Sequence, residues 1–71
     1  MKTLRQWRRA RLISIEDLAK AAGVSTKTIV GTELGRSRPK FRTIRRLCDA
    51  LKVEPTEVSE FAAVIEERRP E

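Results

Sequence analysis

The chain has 71 residues, 39% of them hydrophobic, 37% charged and 4% aromatic, with a formal charge of +6. That length holds one small domain, and no apolar run approaches the ~18 residues of a membrane-spanning helix. One cysteine and no histidine exclude an internal disulfide framework and a structural zinc site.

Five short helices are predicted in chain order. The first runs from about Thr3 to Arg11, with Leu4, Trp7, Arg8 and Arg11 on one face. The second starts after Ser14, an N-cap followed by Glu16 and Asp17, an arrangement like a capping box with Asp in place of Glu. Leu18, Ala21 and Ala22 form its expected inner face, and Gly23 ends it. Ser25 caps a third helix, Thr26 to about Leu34, closed by Gly35. With only Gly23 and Val24 between the second helix and that cap, the two helices must cross steeply, as in a helix-turn-helix. A basic loop, Arg36 to Pro39, leads to a fourth helix over Phe41 to Leu51, striped by Ile44, Leu47, Cys48 and Leu51. Pro55 suits the first position of a fifth helix, striped by Val58, Phe61, Ala62 and Ile65. Arg68 to Glu71 read as a frayed end, and no strand pattern is present.

The positive charge is unevenly placed. Met1 to Arg11 carries +5, Leu12 to Gly23 −1, Val24 to Arg46 +6 and Leu47 to Glu71 −4. Two basic blocks followed by an acidic end suggest one face for a polyanion, nucleic acid or an anionic membrane surface. A membrane surface fits poorly, because the basic segments are expected to lack exposed bulky apolar residues. No secretory leader is legible, so a reducing, cytoplasmic setting is expected.

The segment Ser14 to Gly35 carries the most information. Ala19 and Ala22 are small enough for close helix approach, and Val24 and Ile29 pin the third helix to the core. Thr26, Lys27 and Thr28 remain outward at its start, short polar groups and one cation suited to a major groove. An ordinary helical hairpin with a solvated Thr/Lys face is the alternative at this point.

The chain resembles the phage repressor/Cro-like, or XRE, family of helix-turn-helix proteins from Leu4 to about Phe61. The residues behind this are Leu4 and Arg8, SIEDLAKAAGVS, Thr28-Ile29, Glu33 with Gly35, Arg36-Ser37-Arg38-Pro39, Thr43-Ile44 and ALKVEPTEV. The resemblance implies an all-α, five-helix, lambda-repressor-like domain over residues 1–66, with 67–71 a short tail. It implies base reading by Thr26, Lys27, Thr28 and Gly31, and phosphate contacts from Ser25, Arg36, Arg38, Lys40 and Arg42. It also implies a structural ion pair between Arg8 and Glu33.

Some positions depart from the family pattern. Ile15 stands where Gln is common, Gly31 offers no side chain to a base, and Thr32 replaces a core aliphatic. Drift in a weak binder or close backbone approach to DNA both account for Gly31. Leu12 and Lys52 replace residues that are often Gly or Asn, so those helix ends are expected to close differently. Trp7 and Cys48 read as core residues, and the C-terminal acids as a solvated surface. Phe61 and Ile65 are candidates for a homodimer contact through the fifth helix; packing onto the same chain is the alternative.

The resulting expectation is a sequence-specific double-stranded-DNA-binding transcriptional regulator, by default a repressor. It has no catalytic residues, metal or cofactor. Two alternatives stay open. One is an antitoxin or controller-type protein that also binds a partner protein at the acidic C-terminal end. The other is an interaction adaptor with weak or lost DNA binding.

Overall fold

The computed structural model describes residues 1–67, and its regular elements are all helical. They are α1 (Leu4–Ala10), α2 (Ile15–Ala22), α3 (Thr26–Glu33), α4 (Phe41–Leu51), a 3-10 turn (Pro55–Glu57) and α5 (Ser59–Glu67). The chain is therefore an all-α domain, with five α-helices among the described residues.

The first three helices start at a local side-chain cap. Thr3 and Gln6 form a reciprocal capping box at α1, a signature that the sequence reading passed over. Ser14 accepts from the Asp17 amide at 3.1 Å and caps α2. Ser25 accepts from the Thr28 amide at 3.1 Å and caps α3. The fifth helix begins at Ser59, not at Pro55. Pro55 suits a first turn, but that turn is 3-10, and Val58 breaks it in an extended conformation.

The helix ends share one device. After α1, α2 and α3 the backbone turns left-handed at Leu12, Gly23 and Gly35, and two amides return to the last turn. Leu12 and Ile13 donate to the Arg9 and Arg8 carbonyls, Gly23 and Val24 to Lys20 and Ala19, Gly35 and Arg36 to Thr32 and Gly31. This is the Schellman arrangement. At α4, Lys52 turns left-handed and Val53 donates to the Cys48 carbonyl at 3.1 Å. Leu12 and Lys52 thus close their helices in the same way as glycine, which corrects the expectation of a different closure.

Leu4, Leu18, Ala19, Ala22, Ile29, Ile44, Leu47, Cys48, Leu51, Val58, Phe61 and Val64 form one core. In α2 the inner face uses Ala19; Ala21 is exposed. Helix α2 packs chiefly on α4 and α3, and α5 folds over the 3-10 turn. Trp7 packs against the core and donates from Nε1 to the Glu57 carbonyl at 2.9 Å, so it is the structural residue expected. Phe61 is 0% exposed. It belongs to its own chain's core and is not available to a partner, because it is the largest side chain closing α5 onto the bundle.

Residues 2–4 are clamped by 58–60. Lys2 and Val58 make an isolated parallel bridge, and Ser59 donates to the Lys2 carbonyl at 3.0 Å. Glu60 accepts from the Leu4 amide at 2.9 Å. Glu60 is therefore a tether between the two ends of the fold, not part of a solvated acidic surface.

Candidate nucleic-acid interface

The α2-turn-α3 unit presents the start of α3 outward. Ile29 and Thr32 are buried, while Thr26 and Lys27 are exposed and Thr28 is half-buried. Ser25 and Thr28 are tied to each other: their hydroxyls lie 2.9 Å apart, and Ser25 also caps the Thr28 amide. Their side chains thus set the shape of the helix start, leaving Thr26 and Lys27 as its outward pair.

Arg8 and Glu33 form the expected ion pair. Arg8 donates from Nε to Glu33 Oε2 at 2.9 Å and from Nη2 to Oε1 at 3.3 Å. The side chains are only 13% and 7% exposed. Arg8 Nη1 also donates to the Ile13 carbonyl at 3.3 Å, so one guanidinium ties α1, the α1–α2 turn and the end of α3 together.

Thr32 is 2% exposed, and its hydroxyl donates to the Thr28 carbonyl at 2.8 Å. Satisfied in this way, it occupies an aliphatic position without leaving a buried polar group unpaired.

The loop after α3 folds back over Gly31, whose carbonyl receives the Arg36 and Ser37 amides at 2.8 and 3.3 Å. A Cβ built there would lie 2.7 Å from Ser37 Oγ but 3.7 Å from Ser37 Cβ, so turning the exposed Ser37 hydroxyl would clear it. Gly31 itself puts no side chain toward a base.

The cations divide into two groups. Arg36, Arg38, Lys40 and Arg42 are exposed around the loop and the start of α4. Arg38 pairs with Glu67 at the end of α5. Two cations flanking α1 are committed elsewhere: Arg11 donates to the Leu51 carbonyl at 3.0 Å, and Lys2 and Arg11 lie over the Trp7 ring at 4.7 and 5.1 Å. The basic body thus has fewer free cations than its charge total suggests.

Sequence reasoning missed two members of the exposed α3 face. Val30 and Leu34 are 38% and 58% exposed. With Lys27, Thr28, Gly31, Arg36 and Ser37 they line an open hollow of about 370 Å³. The signal was present as the spacing 27, 30, 31, 34, one helix face.

A family model described as a helix-turn-helix domain matches residues 2–61. The chain belongs to this helix-turn-helix family, a class of DNA-binding domains and the fold that the resemblance to repressor/Cro-like proteins implies. None of the curated proteins matches, and no solved structure does. Among the described residues no helix is long and apolar enough to cross a membrane.

Proposed function

We propose that this protein is a sequence-specific regulator of transcription that reads double-stranded DNA with α3 in the major groove. The observation that supports this most is the exposed Thr26-Lys27 pair at the start of a capped helix, held rigid by the Arg8–Glu33 pair and flanked by the cations of the Arg36 to Arg42 stretch. Lysine at that place suits guanine O6 and N7 acceptors. The surrounding cations contact phosphates and release counterions, which supplies most of the affinity. Repression follows from occupying the site and blocking polymerase, in the cytoplasm, with no catalytic step, metal or cofactor.

Homodimerisation belongs to the same reading, with half-sites about 34 Å apart. With Phe61 buried, the dimer surface falls to Ile65, beside half-exposed Phe41 on α4. A partner protein of the antitoxin or controller kind at the acidic C-terminal end is the alternative reading, and it would have to compete with the contacts that Glu60 and Glu67 make within the chain.

Selection from a random DNA pool tests the proposal. A palindromic consensus supports DNA reading and dimerisation together; no enrichment at low salt defeats it. With the selected site, Lys27→Ala is expected to relax sequence preference by ~1–3 kcal/mol at one position, whereas Arg36→Ala weakens all sequences alike and lowers the salt slope by about one.

A further inference from the structure

The outward face of α3 is Lys27, Val30, Gly31 and Leu34, and only the first can donate a hydrogen bond from its side chain. Val30 and Leu34 are exposed apolar side chains at a spacing of four, 38% and 58% exposed. Half-buried Ile15 extends the same strip on its other side, lining with Arg5, Arg8, Val30, Glu33 and Leu34 a hollow of about 250 Å³. The strip is rimmed by cations: Arg5, Lys27 and Arg36 are all exposed. An apolar strip between cations matches a groove floor between two phosphate backbones. An α-helix with its side chains is about 10–12 Å across, which fits the ~12 Å width of the major groove.

One base feature on that floor is apolar, the C5-methyl of thymine. We infer that Val30 and Leu34 are specificity-determining residues that read thymine methyl groups, so that each half-site carries thymine beyond the base pairs met by Thr26 and Lys27. The inference rests on the proposal that α3 enters the major groove. It assigns hydrogen-bond readout to the start of the helix and apolar readout to its later turns. Gly31, covered by Ser37, leaves Val30 and Leu34 to set the contact there.

The test uses the site selected from the random pool and three versions of it. In one, thymine is replaced by deoxyuridine, which removes only the methyl. In the second, 5-methylcytosine paired with guanine restores a methyl at the same place in the groove. The third carries unmethylated cytosine. Burying one methyl is worth about a fourfold change in affinity. The expected result is a loss of about fourfold for each critical thymine changed to deoxyuridine, with 5-methylcytosine binding better than cytosine. Val30→Ala and Leu34→Ala should reduce that uracil penalty while keeping Lys27-dependent readout. Both side chains are exposed, and circular dichroism confirms that the variants fold. Enrichment of a consensus without any uracil penalty overturns the methyl readout and leaves DNA binding standing. A uracil penalty unchanged in both variants also overturns it, since the methyls would then be read by other residues. No enrichment at all defeats both this inference and the function on which it rests, and points to a protein partner for the strip.

Discussion

Leu12 and Lys52 hold φ of 54° and 58°, where an L side chain crowds its own backbone. Leu12 is also 94% exposed, so its side chain returns almost nothing in packing. Leu12→Gly is expected to stabilise the fold by about 0.5–1 kcal/mol, and Lys52→Gly similarly, because relief of the strained φ outweighs the extra freedom of the unfolded glycine. A melting temperature raised by several degrees in each variant checks this. Cys48 is a second residue-scale case. Burial first, then the nearby charges of Asp49, Glu54 and Glu57, pushes its thiol from the ordinary 9.0 up to about 11. The folded state therefore favours the neutral thiol, while the unfolded state ionises earlier. The stability linked to this group is fully present below the unfolded pKa and is lost as pH rises toward 11. Urea midpoints should fall over that alkaline window, and a Cys48→Ala variant should lack this part of the decline. At neutral pH a thiol reagent should label native Cys48 slowly and unfolded Cys48 fast.

At the scale of elements, most of the helix-turn-helix was legible. Serine caps, first-turn acids and the glycines at 23 and 35 are local chemistry, and they mark α2 and α3 correctly. The two non-glycine ends were misread because their left-handed turns are imposed by the returning amides and by apolar residues just beyond, Ile13 and Val53, which pack on the core. The extra helix start at Pro55 was misread because proline suits a 3-10 turn as well as an α-helix. The Arg8–Glu33 pair shows how elements hold α3 in place. With Glu33 only 7% exposed, Arg8→Ala leaves a nearly buried carboxylate unpaired and should destabilise the domain by ~3 kcal/mol or more. Replacing both partners by Met and Leu should recover part of that loss. Urea denaturation of the parent and the two variants separates the two effects, and an Arg8→Ala protein as stable as the parent refutes the structural role.

Across the whole molecule, charge is both separated and cross-linked. The acidic C-terminal block does not simply stand away from the basic body. Glu60 holds the start of α1, and Glu67 pairs with Arg38 on the loop after α3. If Arg38 grips phosphate as proposed, a DNA phosphate competes with Glu67 for that guanidinium. The pair is largely exposed, so it is worth at most ~1 kcal/mol. Glu67→Gln is expected to tighten DNA binding by up to about fivefold at low salt, with the advantage shrinking as salt screens the contact. Equal affinity for the two proteins in a salt titration argues that Arg38 makes no phosphate contact. The sequence by itself determined the helical class, the helix-turn-helix and the polar start of α3, because caps, glycine turns and apolar periodicity act over a few residues. Only the tertiary structure decided which charges remain for DNA. Arg11 meets Leu51 across 40 residues and Glu60 meets Leu4 across 56. It also showed that the loop after α3 folds over Gly31 and that Phe61 belongs to the core. Such contacts depend on how distant segments pack, and local sequence chemistry carries no record of them.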